Sequence, residues 1–207
     1  MPQTSAKKSP QLSREDWVEA AITLLVEGGI DTVQITQLAR RLCVSRGSFY
    51  WHFENREDLL DALVDVWIAR NTGVMVKALA DAATLDDGLL NLFAVWVDRT
   101  LFDPEMDQAI RDWARHTPAL FERLKSEDAT RVSTIAEFLG AHGFEHPEAF
   151  IRARVIYFTQ LSFYAQEVQE PMDIRLSYLD AYFRCFIGRP ADRSAATRFK
   201  DLMGDTP

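Results

Sequence analysis

Two cysteines in 207 residues, Cys43 and Cys185, are too few and too far apart for a disulfide-built scaffold. No apolar run is long enough to cross a bilayer, and the opening MPQTSAKKSPQ lacks the apolar centre of a secretion signal. A cytoplasmic protein with no membrane partner is expected. Alternating strand patterns of useful length are absent too. The prolines and glycines are few (8 and 9), and several fall between helix-period stretches, at Pro104, Pro118, Gly143–Pro147 and Pro171. The fold class is therefore all-α. Enzyme signatures are missing: no glycine-rich phosphate loop, no nucleophile in a recognisable setting, no metal-ligand cluster. His142 and His146 are four apart, but Gly143 and Pro147 deny them one continuous helix, so no metal and no cofactor are expected. Catalytic residues assembled from distant positions stay open as an alternative.

Cations are also in deficit, 23 Lys/Arg against 31 Asp/Glu for a net charge of −8, which disfavours approach to nucleic acid. Their distribution reverses that reading. Residues 1–56 hold seven cations (Lys7, Lys8, Arg14, Arg40, Arg41, Arg46, Arg56) against six acids, so +1; the remaining 16 against 25 give −9. A locally basic tip on an acidic body resists non-specific clinging to DNA while leaving one face attractive to phosphate.

The chain divides into a disordered arm over 1–11, a small helical domain over 12–54, a helical body over 55–188 and a tail over 189–207 with at most one short helix. Helix one opens on a cap at Ser13 with Asp16 at the third helical position, buries Trp17, Ala20, Ala21, Leu24 and Leu25, and ends at Gly28–Gly29. A helix pair follows at about 34–42 and 45–52. From Asn55 one long helix runs to about Ala80, and further helices fall at 86–102, 104–115, 118–141, 147–169 and 172–187.

The helix pair carries the chemistry. Ser45 is placed as an N-cap whose hydroxyl accepts a backbone N–H, and Val44 with Phe49 forms a hydrophobic staple. Phe49 and Phe53, four apart, share a face that packs on Leu38 and Leu42. That leaves Arg46, Ser48, Tyr50, Trp51 and His52 outward, on an acidic protein that has no use for such a face unless something rich in phosphate docks there. Arg46, Gly47, Ser48 and Trp51 are placed for base edges, with Arg46 suited to guanine and Trp51 to a thymine methyl. Tyr50, His52 and Arg56 are placed for phosphates. Thr36 reaches a base or phosphate, or is a plain surface threonine. Cys43, beside Arg40, Arg41 and Arg46, is either a redox-sensitive thiol or a small packed residue.

Leu38, Ala39, Val44, Ser45, Gly47, Phe49, Tyr50, His52, Phe53, Arg56, Leu59 and Leu60 stand at spacings that resemble the helix-turn-helix of the tetracycline-repressor (TetR) family of bacterial transcription regulators. The resemblance covers roughly the first third of the chain. Two positions depart from the pattern: Cys43 replaces a turn glycine, and Gln34 replaces the usual opening Thr or Ser. A positive φ at Cys43 would cost about 1–2 kcal/mol. The resemblance implies a homodimeric, ligand-responsive regulator, most simply a repressor, on a palindromic double-stranded DNA operator, with reading helices about 34–36 Å apart. A protein-interaction module that keeps the helix-turn-helix without DNA binding is the other alternative.

In the body, Trp67, Phe93, Trp96, Trp113, Phe121 and Tyr157 are either core or the lining of a pocket for a small apolar or aromatic effector, favoured because few charges interrupt these faces. The resemblance implies that such an effector shifts the spacing of the reading heads, with the helix from Asn55 as lever. Ile151, Val155, Phe158, Leu179, Phe183 and Phe186 lie on two helices with more apolar surface than one core face needs, and read as a dimer interface.

Overall fold

A computed structural model describes residues 12–204. The expected arm over 1–11 lies outside the described residues, as does the end of the tail. Among the described residues there is no strand; the chain is all-α. It forms two compact units that meet at Val66–Trp67, twelve residues beyond the expected boundary.

The first unit holds α1 (Arg14–Gly28), α2 (Ile35–Arg41), α3 (Arg46–Phe49) and all but the last residue of α4 (Arg56–Trp67). Ser13 caps α1 reciprocally: its hydroxyl accepts from Asp16 N–H, and the Asp16 carboxylate accepts from Ser13 N–H. All five residues expected on the buried face of α1 are buried, together with Val18 and Ile22. Gly29, at φ 76°, stops the helix in a conformation that glycine adopts without a Cβ penalty. Asn55 starts α4 by accepting from Asp58 N–H at 2.9 Å.

The second unit begins where α4 gives way to a π-helical stretch, Ile68–Gly73, before α5 (Val74–Ala80). The expected single helix to Ala80 is thus interrupted. The reason lies in Asn71 and Thr72, both buried: Asn71 donates to Asp103 O (2.9 Å), and Thr72 Oγ1 accepts from Arg131 Nε (2.9 Å). A wider turn brings these two polar side chains inward. Next come α6 (Leu85–Val97), α7 (Pro104–Ala114), α8 (Pro118–Ala141), α9 (Glu148–Ala165), α10 (Met172–Ser177), α11 (Leu179–Ile187) and α12 (Arg193–Gly204). Pro104 and Pro118 open their helices at the first position, where the missing N–H costs nothing. Gly88, inside α6, faces Phe138 of α8 so closely that a Cβ there would lie 2.1 Å from the ring's Cζ.

Helix α12 corrects the expected tail. Asp192 Oδ1 accepts from Ser194 and Ala195 N–H, and Asp192 N–H donates to Asp86, which also pairs with Arg189. So fixed, the helix buries Ala195, Ala196, Phe199 and Met203 in the unit's core.

Candidate nucleic-acid interface

Phe49 anchors α3 from behind. Its fully buried ring meets Trp17 edge-on at 5.3 Å and stacks on Phe53 at 5.3 Å, while the Arg14 guanidinium covers the Phe53 ring at 4.5 Å. With the phenylalanines inward, the rest of the segment points out. Tyr50 is 61 % exposed and Trp51 87 %, and Thr36, Ser45, Arg46 and Gly47 are exposed as well. Ser48 and His52 are half-buried. Large apolar side chains so bare are uncommon on a soluble surface unless something covers them.

Local geometry corrects three expectations. The second helix of the pair is four residues long, not eight; beyond Phe49 the chain continues in turns held by His52 and Phe53 N–H bonds to Phe49 O. Ser45 occupies the N-cap with extended backbone, but its side chain makes no capping bond. Arg56 is not turned to solvent: Nε donates to Val33 O at 2.6 Å and an Nη to Ile30 O at 3.0 Å. A guanidinium committed to two carbonyls staples the loop before α2 to the start of α4 and is poorly available to phosphate.

The basic cluster thins accordingly. Arg41 forms a two-pronged pair with Glu27 (2.7 and 2.9 Å), and Arg14 reaches Asp58 at 3.4 Å. Arg40 and Arg46 are the arginines of this unit that keep exposed guanidiniums with no hydrogen bond or ion pair among the described residues. Sequence reasoning had not singled out Arg40; its place on α2 near the turn was the available signal.

Cys43 adopts φ 56° and is exposed, so it is not a packed residue. Gly47 is the opposite case. Its φ is not positive, and an added Cβ would meet Ser45 Oγ at an ordinary 3.6 Å. Nothing within the protein requires a glycine there, at a helix-interior cost of about 1 kcal/mol.

Residues 18–63 match the family of bacterial regulatory proteins of the tetR type. The first unit belongs to the TetR family. Over 72 residues the chain is 36 % identical to the tetracycline repressor protein class D of Escherichia coli, covering 35 % of this chain and 33 % of that protein. The chain thus spans about a third of the length of the curated relatives it matches. Solved structures extend the likeness of fold to the whole length. SmeT, the repressor of a multidrug efflux pump of Stenotrophomonas maltophilia, matches with TM-score 0.63 and 19 % identity over 85 % of this chain and 91 % of its own. KstR2, a ketosteroid transcriptional regulator of Mycobacterium tuberculosis, matches with TM-score 0.60 and 15 % identity over 98 % and 95 %. The helix-turn-helix is thus of TetR type, and the second unit has a helical fold like that of these solved structures.

The residues expected around an effector do not form one group. Trp67 and Tyr157 sit in a buried polar network. Trp67 Nε1 donates to Asp107 (2.8 Å); Arg131 donates to Asp107 and to the Tyr157 hydroxyl (3.0 and 2.9 Å); Arg111 pairs with Asp107 (2.8 Å) and through both Nη atoms with Asp128; and Tyr157 donates to Asp128 at 2.6 Å. The expectation that few charges interrupt these faces is overturned here. Burial alone would raise the Asp107 carboxyl, but Arg131 and Arg111 outweigh it and hold it below its ordinary value. Phe93 and Trp96 lie elsewhere, on α6, and Trp113 is half-buried on α7. Phe121 is exposed near the start of α8, with Lys125 over its ring.

The expected interface divides likewise. Ile151, Val155 and Phe158 are exposed along α9. Leu179 and Phe183 are buried in the core of their own unit, and Phe186 is half-buried with its carbonyl taken by Arg152 at 2.6 Å. The apolar surface of α11 is spent inside its own unit. Gly143, at φ 94°, ends the α8 turn between His142, whose Nδ1 bonds Phe138 O, and His146.

Proposed function

We propose that this protein is a homodimeric repressor that binds a palindromic operator and releases it when a small molecule occupies the second unit. One observation carries the reading: Trp51, Tyr50 and exposed Arg46 project from a segment whose Phe49 is wholly buried, beside a glycine that the fold does not need. Arg46 and Trp51 read base edges in a major groove; Tyr50, His52, Ser45 and Arg40 hold phosphates. Thr36 adds a contact from α2.

Dimerisation is assigned to α8 and α9. Ile151, Val155 and Phe158 form a bare apolar stripe, and the neighbouring α8 face offers a notch lined by Ser133, Ala136 and Gly140 that lets a second helix approach closely. A two-fold pair of such bodies is what sets two heads on one duplex. Because α4 starts in the DNA-binding unit and ends at the first residue of the other, displacement of its C-terminal end by an effector carries to the head. Similar proteins of TetR type that are repressors support the direction of regulation.

Selection of bound duplexes from a random pool tests this. Enrichment of two inverted half-sites one helical turn apart, or a multiple of it, is the expected result. No enrichment, or a single half-site bound by monomer, would reject it.

A further inference from the structure

The outward faces of α8 and α9 differ in shape and in charge. On α8, Ala129, Ser133 and Gly140 are exposed at spacings that put them on one side of the helix, and Glu137 is the charged residue among them. On α9, Ile151, Val155 and Phe158 form a bare ridge. The two faces meet at an open notch of about 250 Å³, lined from α8 by Ser133, Glu137 and Gly140 and from the α9 side by His146 and Phe150. Small-molecule sites start at about 300 Å³ and enclose most of their ligand. A smaller, open notch floored by short side chains suits the side chains of another helix.

Two charges on these faces have no counter-charge among the described residues. Glu137 lines the notch and makes no ion pair or hydrogen bond there. Arg154 lies on the flank of the ridge nearer α8. It is one turn beyond Phe150, which lines the notch, and its guanidinium carbon lies over the Phe150 and Phe158 rings at 5.5 and 5.4 Å. Ring faces attract a cation but leave its in-plane N–H groups free to donate. Arg152, by contrast, is already paired with Glu148 one turn away on the same helix.

A second copy of this chain supplies both missing partners. With α9 of one copy along α8 of the other, two-fold symmetry repeats the contact. Each ridge then enters the small-residue face opposite, and each Arg154 approaches a Glu137. Pairing ridge with ridge instead sets Arg154 against the partner's Arg154 and leaves both notches empty. Like charges so placed repel, which selects the first arrangement over the second. We infer that Glu137 of one copy and the partner's Arg154 form a reciprocal ion pair that fixes the register of self-association and suits this face to a second copy of the same chain. The inference rests on the homodimer reading and specifies what that contact recognises.

Sedimentation equilibrium of the full chain tests it, because charge reversal can be rescued by the other copy. Glu137→Arg places a second guanidinium opposite Arg154, and Arg154→Glu places a second carboxylate opposite Glu137. Each should weaken self-association by about tenfold or more. An equimolar mixture of the two variants should associate about as tightly as wild type, since both cross-contacts then join opposite charges. Both residues are exposed, so thermal unfolding of the helices should be unchanged. Should a reversal disturb the fold, Glu137→Gln and Arg154→Gln take its place, each with a several-fold loss. Undiminished dimers in both reversed variants, or a weakening that mixing does not restore, would overturn the ion pair and leave the homodimer reading standing. A wild type that stays monomeric would give this face to another partner and remove both.

Discussion

Trp51 is 87 % exposed and Trp67 is wholly buried; Arg46 stands in solvent without a partner among the described residues, while Arg131 is enclosed against Asp107 and Tyr157. The same residue types serve opposite ends in the two units. In the first, phenylalanines and short helices make a small rigid base so that cations and aromatics can face outward. In the second, cations are drawn inside and paired, which ties the Ile68–Gly73 stretch, α7, α8 and α9 together through specific hydrogen bonds. Stability and recognition should therefore separate by unit when single residues are changed.

The largest effect is expected inside. Asp107→Asn leaves Arg131 buried without its nearest counter-charge, and such breaks cost about 3–5 kcal/mol. Thermal or denaturant unfolding checks this, and a loss below about 1 kcal/mol would show the network to be incidental. The same carboxyl predicts an acid limb. Held below its unfolded value near pH 4, it stabilises the fold fully above that pH, and the contribution is lost as pH falls through the folded value. The wild-type stability should drop below about pH 4 more steeply than that of Asp107→Asn.

Next in size is the outward face. Arg46→Ala should weaken binding to the selected operator by about 1–3 kcal/mol and relax preference at one base pair, with unfolding changed by no more than about 0.5 kcal/mol. A matching loss of stability would blur the division between the units. Arg56 lies between the two classes. Since its guanidinium holds Val33 and Ile30 carbonyls, Arg56→Ala should lower stability by about 2 kcal/mol, and any loss of DNA affinity should follow from the loosened head. Affinity lost with no change in unfolding would return Arg56 to the phosphate contacts.

The caps and breaks that sequence shows plainly were those set by short-range chemistry: Ser13 with Asp16, Asn55, Pro104 and Pro118, each satisfied within a few residues. The inward turn of Phe49 and Phe53, and hence the outward face opposite, followed from helical spacing alone. What escaped were contacts made by long side chains across distant segments. Arg56 meets its carbonyls 23 and 26 residues away, and Asp86 fixes the start of α12 from more than a hundred residues off. Apolar periodicity likewise cannot say whether a helix face meets its own core or another molecule, which is why α9 and α11 looked alike though only α9 keeps its stripe bare.

The smallest effects are the most diagnostic of purpose. Cys43→Gly should stabilise the protein by about 1 kcal/mol by relieving a positive φ. Gly47→Ala should also stabilise, by about 0.5–1 kcal/mol, yet weaken operator binding. Parallel changes in both assays for Gly47→Ala would mean that the glycine serves the fold after all.

The outward face itself is tested most directly by acrylamide quenching of tryptophan emission, with and without saturating selected duplex. Trp51 should supply a strongly quenched component that disappears in Trp51→Phe and is shielded when the duplex is bound. A component assigned to Trp51 that stays equally accessible on the saturated duplex would contradict the account.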